Sequence, residues 1–119
     1  MMNISIKGIR ISLTDAITEA VYAKLATLDK LIPTQAFVQV ELGKPSAHHK
    51  TGEDVFLAEI TIDMKGHTYF VEVHHSDMYL ALDRATYDIG EMIKQEKGKR
   101  QTLLRKGRML VKQLLKQGK

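Results

Sequence analysis

Three runs in the middle of the chain alternate apolar and polar residues with a period of two, and nothing else constrains the fold as tightly. "AFVQVEL" (36–42) puts Val38, Val40 and Leu42 on one side. "VFLAEITIDM" (55–64) does the same with Phe56, Ala58, Ile60, Ile62 and Met64, and "TYFVEVHH" (68–75) with Tyr69, Val71 and Val73. Successive side chains of a strand point to opposite faces, so this pattern describes strands with one buried face. "NISIKGI" (3–9) adds a fourth, alternating Ile4 and Ile6 with Ser5 and Lys7. The last two strands are joined by "KGH", where Gly66 can take the positive φ of a tight hairpin. A polar loop, "GKPSAHHKTGED" (43–54), separates the middle two.

A sheet with one apolar face needs a cover, and two helical stretches supply it. Ile17, Val21, Leu25, Leu28 and Ile32 recur at helical spacing behind Thr14, which is placed to cap them, and Pro33 stops the pattern. Asp15 suits the positive end of that helix. Met78, Leu82, Ala85, Ile89 and either Met92 or Ile93 define a second helix, with Ser76 or Asp77 positioned to accept its first free N–H groups. The order β-α-β-β-β-α predicts an α+β two-layer sandwich: a four-stranded sheet with two helices on one face and a basic C-terminal helical tail. We expect a domain over 1–100 and a basic amphipathic extension over 101–119.

The opposite sheet face carries Ser5, Lys7, Gln39, Glu41, Glu59, Thr61, Asp63, Thr68, Glu72 and His74. It is polar and mainly acidic, and so repels phosphate. Phe37 and Phe70 are its only outward-facing aromatic candidates, which argues against stacking of RNA bases across the sheet.

Charge is distributed unevenly along the chain. Residues 94–119 hold ten Lys or Arg against one acid, Glu96, a net +9; residues 1–93 hold eight basic and thirteen acidic residues, a net −5. Such a segment calls for an anionic partner, nucleic acid first and a membrane surface next, unless it is only a solvated helix end. Its leucines, Leu103, Leu110 and Leu114 flanked by Leu104, Val111 and Leu115, form an apolar stripe. The stripe could pack on the body or on a second copy. Gly98 and Gly107 each weaken a helix there by about 1 kcal/mol relative to alanine. The segment could therefore extend the second helix, form its own, or order on binding.

Catalytic patterns are lacking. The chain has no cysteine, which excludes disulfides and thiolate metal sites and fits a reducing compartment. His74 and His75 are adjacent in a strand and point to opposite faces, so they cannot easily share a metal. "GKPSAHHKT" lacks the glycine before Lys50 and the spacing of a phosphate-binding loop. No enzyme activity, metal or cofactor is expected. No apolar run approaches the roughly 18 residues that span a bilayer, and the N-terminus lacks a signal-peptide core, so the expected location is cytoplasmic.

"SDMYLALD" (76–83) resembles the segment that opens the second helix in the ribosome hibernation promoting factor family, whose relatives include the ribosome-associated inhibitor, or subunit-interface protein. "GIRISLTDAITEAVYAKLATLDKLI" is similar to that family's first strand end and first helix, with Thr14, Asp15, Ala16, Val21, Lys24 and Leu28 on its pattern. The resemblance extends over residues 2 to about 100 and looks like a short form. It implies binding to rRNA of the small ribosomal subunit, within the intact ribosome, in the channel used by mRNA and by tRNA. It further implies competition with mRNA, tRNA and initiation factors, inhibition of translation and preservation of idle ribosomes under stress.

Carried onto this chain, the resemblance assigns rRNA contact to Lys24, Lys97 and Lys99 and sets Tyr79 at the RNA-facing surface; Lys94 is expected to join them. The tail adds Arg100, Arg105, Lys106 and Arg108. Asp77 is expected to be mainly a helix cap and Met78 a core residue. This sequence departs from the family where Thr18, Thr27, Asp88, Glu91 and Gln95 replace usually basic positions, which weakens phosphate contacts and shifts anchoring toward the tail. The competing reading is a basic-tailed module for another RNA, a membrane surface or a protein partner.

Overall fold

In the structure, a computed structural model that describes residues 2–33, 35–44, 55–64 and 66–96, the four expected strands form one sheet. β1 (Asn3–Ile9) pairs in parallel with β2 (Phe37–Gly43). β3 (Phe56–Met64) lies antiparallel to β2, and β4 (His67–His75) antiparallel to β3, so strand order in space follows the sequence. The parallel pair needs a crossover, and α1 (Asp15–Ala26) provides it. α2 is helical over residues 78–96. At the β3–β4 hairpin Met64 pairs with His67, and Gly66 takes φ +80°, the left-handed conformation that the two-residue turn requires.

Local chemistry sets the helix starts. Thr14 is extended, and its hydroxyl accepts a hydrogen bond from Ile17 N–H at 3.2 Å, satisfying one of the free donors of the first turn. The far end of α1 comes earlier than the apolar spacing suggests. The α-helix stops at Ala26, not at Pro33, because the chain tightens there. Thr27, Leu28 and Asp29 donate to the carbonyls three residues back, and the Thr27 hydroxyl bonds to Lys24 O at 2.6 Å. Leu28 and Ile32 remain in the core, carried on turns instead of on helix.

The core lies between the helices and one sheet face. Val21 and Leu25 from α1 meet Val38, Val40, Ile60 and Ile62 from the sheet and Leu82, Ala85 and Ile89 from α2. Each of the larger side chains, fully removed from water, contributes about 1.5–3 kcal/mol. Ile93 is fully buried and Met92 is exposed, which decides between the two; Met78 packs partly buried at the edge. Thr86, the buried polar residue of α2, donates its hydroxyl to Leu82 O at 2.8 Å. Leu57 is buried on the outer face of the sheet, apart from this core, a position the sequence reading did not assign.

Candidate nucleic-acid interface

α2 begins on Asp77. Its carboxylate accepts from Tyr79 N–H at 2.8 Å and Leu80 N–H at 3.3 Å, while its own N–H donates to His75 Nδ1 at 2.9 Å. The polar cluster at the strand–helix junction is thus a cap, with Asp77 in the role instead of Ser76. Asp77 is occupied structurally, and Tyr79, in the first turn of α2, is left 46% exposed.

The end of α1 and the middle of α2 leave a cleft of about 530 Å³ between them, bordered by Lys24, Lys30, Asp83, Tyr87, Glu91 and Lys94. Gly90 shapes it. A Cβ at Gly90 would sit 2.9 Å from Leu28 Cδ2, so any larger residue there requires the Leu28 side chain to shift. Lys24 and Lys94, both expected at the interface, therefore share one cleft, whereas Tyr79 stands outside it. Lys30 and Tyr87 join them although the sequence reading did not single them out. The signal for Tyr87 was present: Tyr79, Leu80, Asp83, Arg84 and Tyr87 recur at helical spacing on the side of α2 opposite Leu82, Ala85 and Ile89.

Three basic residues of this layer have acidic neighbours. Lys24 is ion-paired with Asp83 across the two helices, Arg84 with Asp88 at 3.2 Å, and Lys94 with Glu91 at 3.4 Å. Asp88 and Glu91, where the resemblance implies basic residues, thus pair with basic residues within α2. Thr27 belongs to the α1 terminus, as described above. All three pairs are exposed, and such pairs contribute about 0–1 kcal/mol each, little enough for a phosphate to displace the carboxylate. Arg84 also lies over the ring of Tyr87, 5.6 Å from its centroid, beside a second recess lined by His75, Leu80 and Asp83.

The outer sheet face groups its acids together. Glu41, Glu59 and Glu72 stand directly across from one another on β2, β3 and β4, with Lys7 of β1 at one end of the row. The Glu59 carboxyl is pushed up to about 7, first by its hydrogen bond with Glu41 and then by burial and by Glu72. Glu72 moves down instead, chiefly because His74 Nε2 lies 3.0 Å from its carboxylate. Of the remaining expected contacts, Lys97, Lys99, Arg100, Arg105, Lys106 and Arg108 lie outside the described residues. Among the described residues, no group of three His, Asp or Glu is arranged to hold a metal ion, and no helix is long and apolar enough to cross a membrane.

Residues 4–101 match the family described as Sigma 54 modulation protein / S30EA ribosomal protein. The ribosome hibernation promoting factor of Acidithiobacillus ferridurans is 34% identical over 82 residues, which cover 69% of this chain and 100% of that protein. The ribosome hibernation promotion factor of Bacillus subtilis (strain 168) is 30% identical over 98 residues, 82% of this chain; the chain spans 50% of that relative's length. Among solved structures, the N-terminal domain of Protein Y from Thermus thermophilus superposes with a TM-score of 0.66 at 32% identity, covering 79% of this chain and 98% of that one. A ribosomal subunit interface protein from Coxiella burnetii also gives a TM-score of 0.66, over 82% of this chain and 99% of that one, and at 16% identity shares the fold alone. Sequence match, strand order and the capped second helix agree: the chain belongs to the Sigma 54 modulation protein / S30EA ribosomal protein family, alongside the ribosome hibernation promoting factors.

Proposed function

We propose that this protein binds rRNA on the interface side of the small ribosomal subunit, in the channel that mRNA and tRNA use, and thereby blocks initiation and preserves idle ribosomes. The action is steric, with no bond made or broken. A two-layer body fills the channel and Lys or Arg side chains hold it on phosphate, in competition with mRNA, tRNA and initiation factors. The relatives' names motivate the reading, and one observation of this molecule carries it. The helix-layer cleft gathers Lys24, Lys30 and Lys94 against Asp83 and Glu91, whereas the sheet face aligns three glutamates in one row with Lys7 at its end. Phosphate can displace Asp83 and Glu91 from the cleft lysines, whereas the glutamate row repels it.

In this reading Lys24 and Lys94 exchange their carboxylate partners for phosphate. Tyr79 lies at the rim, and Lys97, Lys99, Arg100, Arg105, Lys106 and Arg108 extend the contact. Neutralised phosphates release counterions, so binding falls steeply as salt rises. The test is co-sedimentation with purified small subunits over a salt series. A Lys24→Ala/Lys30→Ala/Lys94→Ala variant should lose affinity and show a shallower salt dependence, while Glu72→Gln on the far face should bind at least as well as the parent. Subunits already loaded with an initiation complex should exclude the protein. Equal binding by the triple variant at every salt concentration would remove the cleft from the interface, and no binding at low salt would end the proposal.

A further inference from the structure

The outer face of the sheet sets exposed aromatic rings among acids, and the chain itself carries a segment of complementary chemistry. On this face the glutamate row of Glu41, Glu59 and Glu72 is joined by Asp63, and two large aromatic rings stand in water beside them. Phe37, 60% exposed, lies opposite Asp63, and Phe70, 50% exposed, is two residues from Glu72 on the same strand. Aromatic rings left in water amid acids suit a partner that is both cationic and apolar. RNA is unsuited, because the carboxylates repel its phosphates.

Residues 97–119 fit that description. They contain nine Lys or Arg and no Asp or Glu, interleaved with Leu103, Leu104, Leu110, Val111, Leu114 and Leu115. The point of departure is also right. Glu96 places its carboxylate 3.9 Å from Nδ1 of His67, the first residue of β4, and β4 is an edge strand. The chain therefore leaves α2 beside the sheet margin that leads to the acidic face. Four strands span about 15 Å, whereas 23 residues reach about 35 Å even as a helix and about 75 Å extended. Tethering at this distance gives an effective concentration on the order of millimolar, so weak contacts suffice.

We infer that residues 97–119 dock on the outer face of the sheet of their own chain, laying Lys and Arg along the Glu41–Glu59–Glu72 row and leucines on Phe37 and Phe70. The energetic need is visible in the body alone: three carboxylates stand in one row, and the hydrogen bond with Glu41, burial and Glu72 push the Glu59 carboxyl up to about 7. Cations along the row relieve the repulsion among the carboxylates. Docked there, the basic segment is withheld from other anions until one outcompetes the sheet. The inference does not depend on what the helix layer binds.

The absence of cysteine provides the test. A single Gln113→Cys substitution in the full chain carries a nitroxide label, and amide signals are recorded in dilute, low-salt solution. Gln39, Thr61, Phe70 and Glu72 should lose intensity by about twofold or more, with Tyr22 and Tyr87 of the helix layer unaffected; about 0.5 M salt should restore the signals by screening. Adding Glu41→Gln/Glu59→Gln/Glu72→Gln, whose own spectrum reports its fold, should restore them at low salt too. Three results would each overturn the inference. These are no selective loss on the sheet face, loss that persists in the glutamine variant, and loss of equal size when the label sits only on a second, isotopically silent copy.

Discussion

Lys24 of α1 and Asp83 of α2 are ion-paired across the helix layer, at the mouth of the cleft that also holds Lys30 and Lys94. Their side chains are 43% and 45% exposed, so the pair is worth at most about 1 kcal/mol of stability. Its larger effect is on Lys24, which it occupies. Asp83→Asn should therefore leave unfolding almost unchanged and strengthen binding to small subunits at low salt. One additional phosphate contact should steepen the dependence of log affinity on log salt by about 0.7–0.9. Lys24→Ala should move both quantities the other way. Co-sedimentation of the two variants over one salt series checks this, and a weaker-binding Asp83→Asn would mean that the pair positions Lys24 instead of restraining it.

Asp77 separates structure from recognition. Its carboxylate satisfies two N–H groups at the start of α2. Asp77→Ala should cost about 0.5–2 kcal/mol in urea unfolding, and Asp77→Ser, another good cap, should recover most of it. Ribosome binding by Asp77→Ser should match the parent. A binding defect in a stable Asp77→Ser protein would show that the negative charge itself is used.

Local patterns exposed most of the architecture. Period-two alternation located all four strands, Thr14 and Asp77 were readable as caps, and Gly66 as the hairpin turn. What depends on packing was not readable. Leu28 and Ile32 keep helical spacing after the α-helix has ended, because i→i−3 turns can present nearly the same face to the core. Met92 and Ile93 are equivalent by spacing and differ only in how α2 is rotated over the sheet. The acidic character of the outer face followed from alternation. That Glu41, Glu59 and Glu72 form one row did not, because strand register couples residues far apart in sequence. At the cleft, Lys24 and Lys94 were named from sequence, whereas Lys30 and Tyr87 emerge only once the turn after α1 is placed against α2.

Leu28 Cδ2 lies where a side chain at Gly90 would begin, and the two positions should be energetically coupled. Leu28 is buried at the cleft wall, so Leu28→Ala should cost about 2–3 kcal/mol. In an open helix, Gly→Ala gains about 1 kcal/mol. In the parent protein, Gly90→Ala should forfeit that gain, because the new methyl group meets Leu28 Cδ2. With Leu28→Ala present the methyl group has room, and the gain should return. A double-mutant cycle by urea unfolding measures the coupling, and additive effects would mean that Leu28 swings aside without cost.

Glu59 gives stability a distinctive pH dependence. An ordinary glutamate shifts little on folding, but here the folded value rises from 4.5 to about 7, so the folded protein binds the proton more tightly than the unfolded chain. The contribution is therefore fully present below the unfolded value and is lost as pH rises through the folded one. The downward shift of Glu72 acts in the opposite sense and at lower pH, as its carboxylate becomes protonated. Glu59→Gln removes the titrating group and the repulsion together. The variant should be more stable than the parent at about pH 8, with the difference shrinking toward zero at about pH 5. Urea midpoints of both proteins at the two pH values decide the matter. A constant difference across the range would mean that Glu41 and Glu72 accommodate the Glu59 charge without the shared proton.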